Sequence, residues 1–186
     1  SGSTLRFLIP VAATFSREVE FCGRGRLPMR PILPLLECLE ANGATFDYEG
    51  SLPLTTHGGL RGGKFKIAGD ISSQFISGLI FALPRLRSDS TIEIEGKLES
   101  SKYIDMTISA VSEFGIKLLR EGNVIRIPGN QKYISPSKFE VEGDWSNAAF
   151  WAVLGALSEK GITCRGVKNG SIQGDREILK ILEKYN

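Results

Sequence analysis

Hydrophobic and polar positions change period repeatedly along this chain, and each change marks an element. Residues 3 to 14 read as a helix, with Gly2 or Ser3 at its start, and residues 18 to 22 as a strand. A second helix opens at Pro31, where the missing N–H suits a first turn. Its Ile32, Leu35, Leu36 and Leu39 fall on one helical face, and Asn42-Gly43 ends it. Strands follow near 45–48, 53–56 and 64–68, the last alternating as Lys64-Phe65-Lys66-Ile67. A charge-free helix spans 72–83 and stops at Pro84. A strand at 90–95 leads to an amphipathic helix at 102–114, with Ile104, Ile108 and Val111 on one face. Strands near 117–119, 123–127 and 138–142, a second charge-free helix at 146–158, a strand at 161–165 and a helix at 175–185 complete the series.

The series repeats. Gly69-Asp70-Ile71-Ser72-Ser73-Gln74-Phe75 is echoed by Gly143-Asp144-Trp145-Ser146-Asn147-Ala148-Ala149, an offset of 74 (143 − 69). Ile92 to Gly96 resembles both Val19 to Gly23 and Ile162 to Gly166. The period exceeds that of common solenoids and suits a multi-element α/β unit of strand, helix, strand, strand, helix. A charge-free helix has no face for water, so it belongs inside. The expected α/β architecture therefore has sheets outside and one helix of each unit within, aiming equivalent helix N-termini at one end of the domain.

Composition narrows the class only slightly. The chain has 186 residues, 41% of them hydrophobic, which is enough for a buried core. A formal net charge of +2 argues for neither nucleic acid nor a membrane surface as partner. The charge-free runs, Ile71 to Pro84 and Trp145 to Ser158, are too short to cross a bilayer. Cys22, Cys38 and Cys164 make no metal-ligand spacing, and an odd count suits a reducing cytosol. Beginning at Ser1 inside a helix start, the chain reads as a fragment of a longer protein.

Candidate chemistry concentrates at helix starts. Ser72, Ser73 and Gln74 open a charge-free helix, and Gly2-Ser3 open another. Helix N-termini carry unpaired N–H groups and partial positive charge, so they accept phosphate or carboxylate. Ordinary serine capping is the plain alternative. The loop from Gly23 to Pro31 places Arg24, Arg26 and Arg30 before a helix, and arginine forks suit bidentate anions. Ser100-Ser101-Lys102-Tyr103 opens a further helix. The single histidine, His57, falls in an expected turn and reads as a surface residue. Asp70 and Asp144 read as structural. No Ser/His/Asp set, P-loop or dinucleotide fingerprint is found.

These residues resemble the enolpyruvyl transferases, in the branch acting on shikimate 3-phosphate. The resemblance rests on Gly69 to Phe75, Tyr103-Ile104-Asp105, Val141 to Asp144 and Gln173-Gly174-Asp175, with Gly2 to Arg6 and Arg30-Pro31 as helix starts. Ser-Ser-Gln separates this branch from the UDP-N-acetylglucosamine transferases. With Tyr-Ile-Asp, it also argues against an RNA 3′-phosphate cyclase. Ser3, in place of threonine, and Ser101-Lys102 depart from the commonest pattern.

The resemblance implies an inside-out α/β barrel. It also implies transfer of the enolpyruvyl group of phosphoenolpyruvate to the 5-hydroxyl of shikimate 3-phosphate, on the route to chorismate and the aromatic amino acids. No metal or organic cofactor is implied, and the protein is expected to be a cytoplasmic monomer. Shikimate 3-phosphate falls to Ser72, Ser73, Gln74, Ser100 and Tyr103, and phosphoenolpyruvate to Gly2, Arg30 and Gln74. Arg6 is expected to support the site without touching a ligand. Residues 1–142 correspond to most of a first domain and 143–186 to the start of a second, with the acid/base residues lying elsewhere. The fragment alone is expected to be inactive. An autonomous anion-binding module is the competing reading.

Overall fold

The computed structural model describes residues 1–98 and 101–184. It divides into two compact units, Ser1–Ile134 and Ser135–Asn186. The first contains α1 (Gly2–Ala13), β1 (Val19–Phe21), α2 (Leu33–Glu40), β2 (Thr45–Tyr48), β3 (Leu54–Gly58), β4 (Lys64–Ala68), α3 (Ser73–Ala82), β5 (Ser90–Glu95), α4 (Ser101–Glu113), β6 (Leu119–Glu121) and β7 (Val124–Ile127). Helix α2 begins later than expected. Ile32 stands before it and Pro34, not Pro31, occupies its first turn.

The repeat is visible in strand order. One sheet runs β1-β3-β2, and the other runs β5-β7-β6 with β4 added beside β5. Strands β4 and β5 are parallel, so α3 is the crossover between them. All other pairs are antiparallel. A single apolar core joins residues of both sheets and of α1 to α4, among them Leu5, Ile9, Leu35, Phe65, Phe75, Ile92, Ile104 and Ile125.

As its sequence requires, α3 has no solvent face. Phe75, Ile76, Ser77, Gly78, Leu79 and Ile80 are all buried, and the Ser77 hydroxyl is satisfied by Thr107 of α4 at 2.7 Å. Helices α1 and α3 run in the same direction. Ser3 meets Gln74 near their starts, and Phe7 meets Phe81 edge to face further along, with ring centroids 5.4 Å apart. Between these contacts Gly78 lets the backbones close. A Cβ there would lie 2.5 Å from the Arg6 carbonyl oxygen.

The second unit departs from expectation. It forms α5 (Trp145–Ala156) and α6 (Ile178–Glu183), the latter preceded by a 3-10 turn at Gly174–Glu177. The strands expected at 138–142 and 161–165 do not form. One backbone bond remains, Gly143 N–H to the Gly166 carbonyl at 2.7 Å. It is the counterpart of the Gly69 N–H to Glu95 carbonyl bond, 2.9 Å, at the end of the β4–β5 pair. A lone pairing with no third strand beside it does not hold a ladder. Without that sheet α5 is not enclosed, contrary to the burial expected of a charge-free helix. Phe150 is 78% exposed and Leu157 82%.

His57 lies in β3 instead of the expected turn. Its Nδ1 is 3.1 Å from Glu18 and its Nε2 2.9 Å from Asp47, so it ties together the chain beside β1 and strand β2. The Asp47 hydrogen bond, more than the added pull of Glu18, raises its pKa above the ordinary value.

Two outcomes are expected. Gly78→Ala gains helix propensity of about 1 kcal/mol but overpacks a fixed backbone carbonyl at about 1–3 kcal/mol. A net loss of up to about 2 kcal/mol should appear as a lower urea midpoint. The second concerns pH. Because the folded pKa of His57 is raised, its stabilisation is complete below the unfolded value and fades as pH rises through the folded one. The urea midpoint of His57→Gln should fall short of the parent at about pH 5 and converge with it at about pH 9.

Candidate functional site

The parallel course of α1 and α3 sets their N-termini side by side, and the structure assembles most of the expected residues there. Ser72 adopts extended backbone and caps α3, its Oγ accepting the Gln74 N–H at 3.3 Å. That cap leaves the Ser72 hydroxyl proton free to donate. Ser73 and Gln74 form the first turn of α3 and are half-buried. Gly2 and Ser3 form the first turn of α1, which has no side-chain cap. Its leading N–H groups are therefore without helical partners.

Arg6 joins the two helix starts. Its Nη1 donates to Gln74 Oε1 at 2.9 Å and its Nη2 to the Pro31 carbonyl at 3.3 Å. The guanidinium lies over the Phe75 ring, 5.3 Å from the centroid. Gln74 Nε2 donates in turn to Ser3 Oγ at 3.0 Å. The bond to Pro31 brings the end of the arginine loop to this point, and the exposed Arg30 beside it acts on Arg6. Partial burial, with the repulsion of Arg30 second, lowers the Arg6 pKa from its ordinary value.

Two cations, two helix ends and several donors therefore converge. Such a place favours a polyanion.

The expected residues fare unequally. Gly2, Arg30, Ser72, Ser73 and Gln74 belong to this cluster. Tyr103 is exposed in the first turn of α4 and takes no part in these bonds. It lies one turn before Thr107, as Ser73 lies one turn before the Ser77 that Thr107 touches. Ser100 lies outside the described residues. Arg24 and Arg26 are exposed in the loop.

Sequence reading missed the partnership of Ser3 with Gln74. It also missed Arg120, which binds Asp105 and donates to Ser101 Oγ at 3.0 Å, fixing the start of α4. Its only sequence signal was Asp105, already noted in Tyr103-Ile104-Asp105. Away from the cluster, a cavity of about 500 Å³ is lined by Asp89, Lys117, Leu119 and Arg126. Arg126 there is committed to Glu121 and Asp89 to the Gly129 N–H.

The repeated helix and sheet units have the fold of the enolpyruvyl transferases. A solved EPSP synthase of Acinetobacter baumannii superposes with a TM-score of 0.82 at 24% identity, covering 99% of this chain and 41% of that one. The family model for EPSP synthase (3-phosphoshikimate 1-carboxyvinyltransferase) matches residues 1–186, and the chain belongs to that family. The 3-phosphoshikimate 1-carboxyvinyltransferase of Clostridium kluyveri is 47% identical over 98% of this chain. That of Clostridium botulinum (strain Alaska E43) is 45% identical over all of it. The chain spans about 43% of the length of these curated relatives.

Capping by Ser72 can be measured apart from any ligand. Ser72→Ala should lower stability by about 1 kcal/mol in urea denaturation, whereas Ser72→Asp, itself a good cap at a helix N-terminus, should keep it.

Proposed function

We propose that this chain supplies the substrate-binding wall of an enolpyruvyl transferase. The enzyme moves the enolpyruvyl group of phosphoenolpyruvate to the 5-hydroxyl of shikimate 3-phosphate and releases inorganic phosphate after addition and elimination. The convergence of the α1 and α3 starts with Arg6 and Arg30 carries the reading, because both substrates are polyanions. Ser72, Ser73 and Gln74 take shikimate 3-phosphate, with Ser100 and Tyr103 at its phosphate. Gly2, Arg30 and Gln74 take phosphoenolpyruvate.

Residues 1–142 are assigned to the first domain of the parent enzyme and 143–186 to the start of its second. Metal and organic cofactors play no part in the proposed reaction. The enzyme is a cytoplasmic monomer in this reading, which suits three free thiols. No helix among the described residues is long and apolar enough to cross a membrane.

Calorimetry with shikimate 3-phosphate tests the proposal. The 186-residue chain should bind weakly, Ser72→Ala with Ser73→Ala should weaken binding about tenfold or more, and Ser72→Asp should abolish it by removing the hydroxyl donor and placing a carboxylate against an anionic ligand. Phosphate release from both substrates by the chain alone should be undetectable, since one wall cannot enclose them and exclude water. Wild-type affinity in Ser72→Asp would overturn the assignment.

A further inference from the structure

We infer that Arg6 is a positioning residue that locks the side-chain amide of Gln74 so that its N–H groups, not its oxygen, face the start of α1. The inference rests on the function proposed above for the identity of the ligand, but its geometry stands apart from it.

An amide side chain presents an oxygen on one edge and an NH₂ on the other, and the two edges are nearly the same shape. Ser3 cannot choose between them, because a hydroxyl both donates and accepts. Arg6 can choose, because a guanidinium only donates. With Nη1 at 2.9 Å, the edge of Gln74 nearest Arg6 must be the oxygen. The reversed amide would set donor against donor beside a half-buried cation.

Arg6 is itself held in place. Nη2 is tied to the Pro31 carbonyl at 3.3 Å and Phe75 lies beneath the guanidinium, so two contacts besides Gln74 hold the group. Donation then runs one way, from Arg6 to Gln74 and from Gln74 Nε2 to Ser3 Oγ at 3.0 Å. Having accepted, Ser3 keeps its own proton to give, and Gln74 keeps its second amide proton. The mouth between the two helices is thereby made of donors. A ligand acceptor meets no lone pair from Gln74 there, and a ligand whose edge must donate is refused.

The test uses the 186-residue chain labelled with ¹⁵N, its Arg6→Lys, Arg6→Gln and Gln74→Glu variants, and shikimate 3-phosphate as probe. In the free parent the two Gln74 side-chain protons should be well separated in shift, and Arg6→Lys, which still only donates, should keep that signature. Arg6→Gln can donate or accept. It should move the Gln74 signals toward those of an ordinary exposed glutamine, with the spectrum outside α1 and α3 unchanged, and weaken binding about tenfold or more.

Parent-like Gln74 signals and affinity in Arg6→Gln would overturn the proposal. Should that variant not fold, Gln74→Glu decides. It keeps the acceptor for Arg6 and removes the donors, so the fold should persist while affinity falls, and unchanged affinity overturns the lock. Displaced Gln74 signals in a parent chain that binds no shikimate 3-phosphate would count for the lock and against the proposed function.

Discussion

The close parallel packing of α1 on α3 at Gly78 is the constraint from which the rest follows. Parallel helices bring like ends together, each N-terminus worth about half a positive charge. At an interaxial distance of about 9 Å and an effective dielectric constant of about 20, that repulsion is about 0.5 kcal/mol. Burying a single Leu or Phe side chain returns about 1.5–3 kcal/mol, so the apolar contact easily wins. The electrostatic cost does not vanish, however. It is held at one end of the helix pair, where Arg6 and Arg30 add whole charges. A dianion placed there is attracted to each of these positive charges and offsets their mutual repulsion.

The repeat explains how the constraint is built and where it stops. Each three-strand group follows the same order, first, third, second, and a preceding strand joins the second group in parallel. That parallel strand, β4, ends at Ala68, and Gly69 follows it, three residues before the cap Ser72 from which α3 turns in toward the core. The equivalent Gly143 makes the equivalent bond, but the helix after it starts earlier in register. Asp144 accepts the Ser146 N–H at 2.8 Å and caps α5, whereas its repeat counterpart Asp70 lies two residues before the cap Ser72. The bond from Ser146 N–H, with Asn147 adding to it, holds the Asp144 carboxyl below its ordinary pKa. A carboxylate therefore stands at the start of α5 where α3 offers a hydroxyl. The two repeats thus differ in the charge that stands at the start of their charge-free helices.

Much of this was legible in the sequence because periodicity is local. The absence of charge between Ile71 and Pro84 required an interior helix, and α3 is one. The same signal misled at Trp145 to Ser158, since burial depends on what lies around a helix, and composition does not report neighbours. Strands at 138–142 and 161–165 failed for the related reason that alternation describes a face and a ladder needs a partner. At the site, Ser72 and Gln74 were readable as a polar helix start and Arg30 as a cation before a helix. The bond from Arg6 to Gln74 crosses 68 positions, and no local pattern announces it. His57 was read as a turn residue because Gly58-Gly59 follows it, yet pairing with Glu18 and Asp47 carries β3 through it.

A wall of donors and cations lowers the energy of a polyanion but cannot by itself move a proton. Proton transfer needs groups whose pKa lies near the working pH and within hydrogen-bond reach of the reacting atoms. Among the described residues, burial pushes Cys38 up to about 11 and Tyr133 up to about 12, and neither belongs to the α1–α3 cluster. The Tyr133 hydroxyl is spent on the Phe81 carbonyl at 2.9 Å, and His57 is spent between two carboxylates on the other sheet. What the cluster has instead is fixed orientation, which costs nothing to reorganise when charge arrives. A transferase assembled around such a wall would separate its tasks, with rigid donors here and proton chemistry brought by another part of the enzyme. The amide of Gln74 is then the element on which that division turns, because it is the one group at the mouth able to present the wrong edge.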